Sequence, residues 1–98
     1  MSDEYRVRIT GAVSLDSIAQ RLSSFGLRVV KSSGESLWMA YDGTDAEQLR
    51  RWGGNAGIER DEEGLFITLN ATKDRKLIIK AIQDALISQG VSANIEEV

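Results

Sequence analysis

Cysteine, histidine and proline are all absent from this 98-residue chain. Without cysteine there is no disulfide to staple the fold and no thiolate to act as nucleophile or ligand. Without histidine the chain lacks Cys/His zinc sites, haem ligation through those side chains and Ser-His-Asp or Cys-His nucleophilic machinery. It also lacks the usual proton switch near neutral pH. Carboxylate-only metal sites and lysine- or aspartate-based chemistry would each need a spatial cluster that spacing alone does not show. Without proline, every stop has to come from the nine glycines and from capping side chains. No apolar run approaches the ~20 residues of a membrane helix. The opening Met1-Ser2-Asp3-Glu4 is polar and acidic, unlike the basic start of a signal peptide. The expectation is a cytoplasmic protein with no membrane partner.

What is present is ordinary globular composition, 42% apolar and 28% charged, at a length suited to one domain spanning residues 1–98. The net charge of −3 favours solubility and weighs against non-specific coating of duplex nucleic acid.

The hydrophobic pattern alternates between periods of two and 3.6. Tyr5 to Thr10 alternates as a half-buried strand ended by Gly11. Ser14 fits a helix N-cap, followed by Leu15, Ile18, Ala19, Leu22 and Phe25 on one stripe, with Gly26 at the stop. Leu27–Ser32 and Leu37–Asp42 read as a hairpin around Ser33-Gly34-Glu35. Thr44-Asp45-Ala46-Glu47 fits a capping box for a short helix that has Leu49 and Trp52 on its apolar side. The run Gly53-Gly54-Asn55-Ala56-Gly57 that follows reads as flexible. Ile58–Arg60 and Leu65–Asn70 form a second hairpin pattern around Asp61-Glu62-Glu63-Gly64. Thr72 is placed to cap a long helix ending near Gln89 and Gly90. Val91, Ala93 and Ile95 alternate along a last strand that frays into Glu96-Glu97-Val98.

The order β-α-β-β-α-β-β-α-β, with one apolar face per strand, is best satisfied by a two-layer α+β sandwich. It resembles the ferredoxin-like split β-α-β with a strand-helix-strand inserted in the middle. The resemblance is of element order and carries no function with it. It implies that helices 14–25 and 72–89 cover Tyr5, Val7, Ile9, Leu37, Met39, Leu65, Ile67 and Leu69.

The opposite sheet face would then carry Arg6, Arg8, Arg28, Val30, Trp38, Ala40, Phe66 and Thr68. Arginines interleaved with aromatics resemble the base-stacking sheet of RNA-recognition-type domains. The glycine-aromatic motif of such domains is missing here. A structural reading competes: Trp38 and Phe66 covered by the short helix as a second small core, with arginine stems around the rim.

Other signals are weaker. The turn Glu59 to Glu63 lacks the spaced oxygens and central glycine of a calcium loop and reads as a solvated acidic tip. The glycine-rich run leads from helix to strand, the reverse of a phosphate-cradling loop. Lys73, Arg75, Lys76 and Lys80 open the last helix against its dipole, either as a solvated face or because an anion docks there. No Ser-x-x-Lys spacing occurs, so no familiar route activates a serine.

The residues thus point away from catalysis and name no cofactor. The reading is a protein-binding module, an adaptor or an inhibitor acting by occlusion, similar to immunity proteins in size and charge. Trp38, Tyr41 and Trp52 would anchor a partner. Asp42, Asp45, Glu59, Asp61, Glu62 and Glu63 would steer a basic surface toward it. One alternative is single-stranded nucleic-acid binding through Arg6, Arg8, Arg28, Trp38 and Phe66. Another is a regulatory domain that binds a small metabolite. Pairing of two copies into a homodimer through an edge strand is a further expectation.

Overall fold

The computed structural model describes residues 2–98. Nine elements follow in the expected order: β1 (Ser2–Ile9), α1 (Leu15–Ser23), β2 (Leu27–Ser32), β3 (Ser36–Tyr41), α2 (Ala46–Trp52), β4 (Ala56–Arg60), β5 (Gly64–Asn70), α3 (Arg75–Ser88) and β6 (Ala93–Glu97). The strands form one sheet in the order β2-β3-β4-β5-β1-β6, and every neighbouring pair is antiparallel. This is an α+β, ferredoxin-like arrangement in which a four-stranded meander, β2 to β5, replaces the usual hairpin.

The apolar row assigned from alternation is the one that meets the helices. Val7, Leu37, Met39, Leu65, Ile67 and Leu69 are buried with Ile18 and Leu22 of α1 and Ile78, Ile82 and Leu86 of α3. Removing such a side chain, as in Ile67→Ala, would cost about 2–5 kcal/mol. Helix α1 starts as expected, with the Ser14 hydroxyl accepting from the Ser17 amide. Gly26 has φ 84°, the left-handed turn that lets the chain reverse directly into β2.

Several boundaries differ from expectation, each for a local reason. Strand β1 begins at Ser2, because polar residues 2–4 continue the ladder against β5 up to Asn70. Asp45, not Thr44, caps α2 by accepting from the Gln48 amide at 2.8 Å. The Thr44 hydroxyl is drawn away to Asn55. Thr72 caps nothing: α3 starts at Arg75, after Asp74 at φ 51°, with no side-chain cap. At the other end Glu96 and Glu97 belong to β6, and the Val98 amide donates to the Glu4 carbonyl at 2.9 Å.

The glycine-rich run is the largest correction. Residues 54–57 are buried rather than flexible, and β4 begins at Ala56. Asn55 is 4% exposed. Its Oδ1 accepts from the Tyr41 amide and the Thr44 hydroxyl, both at 3.1 Å, while its Nδ2 donates to the Asn70 carbonyl at 3.0 Å. A buried side-chain amide with both acceptor directions and one donor used fixes the crossing from α2 into the sheet.

Candidate functional site

Alternation places Lys31, Trp38, Gly57, Thr68 and Glu4 in one cross-strand row on the face away from α1 and α3. A second row holds Ser36, Glu59, Phe66, Arg6 and Glu96. Trp38 and Phe66 are both half-buried, so this face is neither a sealed second core nor fully open. None of the residues of α2 is fully buried, Leu49 and Trp52 included.

Trp38 is held by glycine. The first and last glycines of the 53–57 run approach its ring: a Cβ added at Gly53 would lie 3.4 Å from Cδ2, and one at Gly57 would lie 2.5 Å from Cζ2. The absence of side chains at these positions lets the indole settle against the backbone, the aromatic-over-glycine pairing seen where strands need surface covered. Here the glycines make a seat for Trp38. Spacing alone could not reveal this, because the pairing spans β3 and β4.

The arginines of this face are engaged. Arg6 and Arg8 lie 3.6 and 3.8 Å from the Glu63 carboxylate, and Arg28 lies 3.1 Å from Asp42. The Arg6 guanidinium also sits 6.0 Å from the Phe66 ring centroid. These pairs are exposed and individually weak, but together they offset positive charge a phosphate backbone would need.

Of the expected steering acids, Asp61, Glu62 and Glu63 share the β4–β5 turn next to Glu59, while the expected anchors are divided between β3 and α2. Tyr41 lies toward the helical face, where it packs against the core. Its hydroxyl accepts from the Lys73 amide at 2.9 Å and bonds the Lys73 carbonyl at 3.2 Å, pinning the turn before α3. Trp52 ends α2. Of the six carboxylates, Asp45 caps α2, Asp42 meets Arg28 and Glu63 meets two arginines. Asp61 closes the β4–β5 turn by accepting from the Glu63 and Gly64 amides. Only Glu59 and Glu62 of the set have neither a hydrogen bond nor an ion pair from their side chains among the described residues.

One functionally placed residue escaped sequence reasoning. Arg60 donates from Nε to the Gly34 carbonyl at 2.7 Å and from Nη2 to the Val13 carbonyl at 2.6 Å. It ties the β2–β3 turn and the loop before α1 to β4. Nothing in the spacing of a lone arginine beside an acidic turn signals that role.

Among the described residues no three acidic side chains converge as a metal-holding group, and no helix is long and apolar enough to cross a membrane. No protein-family model matches this chain, and comparison with curated proteins and with solved structures returns no match.

Proposed function

We propose that this chain is a non-catalytic protein-binding module that docks a partner on the sheet face opposite α1 and α3. The observation that carries this reading is the partly exposed pair Trp38 and Phe66 on that face, one of them seated on glycine. Pre-ordered aromatics lose little freedom on docking, which is why such residues dominate interfaces. Glu59, opposite Phe66, and Glu62 in the β4–β5 turn add negative charge without an ion pair among the described residues and suit a partner with a basic rim. Acting as an adaptor or as an occluding inhibitor would use the same surface.

Single-stranded nucleic acid is less well supported, since Arg6, Arg8 and Arg28 each have an acidic neighbour. The test is capture of a partner from the native host, followed by affinity measurements with variants. Phe66→Ala is expected to weaken binding at least ~10-fold, and Glu59→Lys with Glu62→Lys to slow association at low salt. Unchanged affinity in folded Phe66→Ala protein would sink the reading. Saturable, salt-sensitive binding of an oligonucleotide would favour the alternative.

A further inference from the structure

The sheet has two open edges, and they differ in charge. Strand β2 lies at one end of the order and β6 at the other, each with a single neighbour among the described residues. The β2 edge carries Arg28 and Lys31, whose partners Ala40 and Trp38 place both on the face away from α1 and α3. The β6 edge carries Glu96 on that same face, opposite Arg6, and Glu97 on the helical face, opposite Tyr5. All four side chains are exposed.

The directions of the two edges also match. Five antiparallel pairings separate β2 from β6, so the edges run in opposite senses. A second copy set alongside in the same orientation therefore lays its β2 antiparallel to β6 of the first. The backbone is turned to suit at both places. The Val98 amide donates inward to the Glu4 carbonyl, so alternation points the amides and carbonyls of Ile95 and Glu97 outward. The Met39 carbonyl accepts from the Asn55 amide, on the side away from β2. Val29, paired with Met39, therefore faces out as well. Setting Val29 against Ile95 brings Arg28 opposite Glu96 on the other face. It also covers Val29, which is 46% exposed.

Pairing like edges lacks this fit. Two β2 edges would gather Arg28 and Lys31 of both copies, and two β6 edges would gather Glu96 and Glu97, which sets like charges together. Arg28 is held by Asp42 at 3.1 Å, an exposed and weak pair that it can exchange for Glu96. The irregularity between Val29 and Lys31 ends regular pairing there, so the contact is short and the association weak.

We propose that copies of this chain associate head to tail, the basic β2 edge of one adding to the acidic β6 edge of the next as a continued antiparallel sheet. Such a contact is heterologous and grows past the dimer. Trp38 and Phe66 lie on β3 and β5, inside the sheet. The contact is therefore separate from the docking reading and stands or falls independently of it.

Sedimentation of the parent at low salt should show a mass that rises past the dimer with concentration, with a Kd on the order of 0.1 mM, and high salt should weaken it. Arg28→Glu and Glu96→Lys should each weaken association about 5–10-fold when alone. Their equimolar mixture should associate again, because each variant offers the edge that the other needs. Amide shifts of the ¹⁵N-labelled parent should grow with concentration at both Leu27–Val29 and Ile95–Glu97. The proposal is overturned if the parent stays monomeric, if assembly stops at a dimer, if only one edge shifts, or if the mixed variants do not recover.

Discussion

Trp38 and Gly57 face each other across β3 and β4 so closely that the smallest side chain at position 57 would collide with the indole. Gly57 lies in extended backbone rather than at a positive φ, so glycine is required there for space alone. Gly57→Ala is expected to destabilise the fold by about 1–3 kcal/mol through overpacking. Trp38→Ala should relieve much of that cost in the double variant. Urea unfolding of the two single variants and the double would reveal the coupling, and strict additivity would contradict the contact.

Asn55 joins β3, the α2 entry and β5 through one side chain. Asn55→Ala leaves a buried amide and carbonyl without partners, a loss of about 2–4 kcal/mol. Asn55→Asp keeps the acceptor but cannot donate to the Asn70 carbonyl, so it should also be destabilising at neutral pH. Thermal unfolding of both variants measures this; a parent-like midpoint for Asn55→Ala would show the hub to be dispensable.

Arg60 is bound to carbonyls rather than to carboxylates, which sets its contribution apart from that of surface ion pairs. Arg60→Met should cost about 1–3 kcal/mol, and high salt should leave that difference in place. Glu63→Gln, which removes only exposed pairs, should change stability by less than about 1 kcal/mol. Hydrogen exchange should rise near Val13 and Gly34 in Arg60→Met, and unaltered protection there would argue against the tie.

The pKa of Tyr5 is raised by burial, with Arg75 opposing the shift and Glu97 and Asp3 adding to it. A phenol whose folded pKa lies above its unfolded value binds more protons in the folded state once the unfolded chain begins to ionise. Its contribution is therefore intact below pH 10 and declines as the pH rises through and beyond that value. Stability followed from pH 8 upward should fall less steeply in Tyr5→Phe than in the parent; identical slopes would mean that Tyr5 titrates normally.

The periods of the chain, by themselves, determined the nine elements, the core row and the face on which Trp38 and Phe66 lie. That was possible because a two-residue repeat assigns each strand side chain to one face and a 3.6-residue repeat assigns a helical stripe. The sequence also determined which side chains are missing, and with them the exclusion of thiol and imidazole chemistry. Tertiary structure decided what proximity decides. It turned a glycine run into the seat of Trp38, made Asn55 a buried hub and drew Thr44 away from its capping role. It spent Asp42, Asp45, Asp61 and Glu63 on intramolecular partners. Each of these depends on groups far apart in sequence, or on a choice between competing acceptors that only the assembled sheet presents.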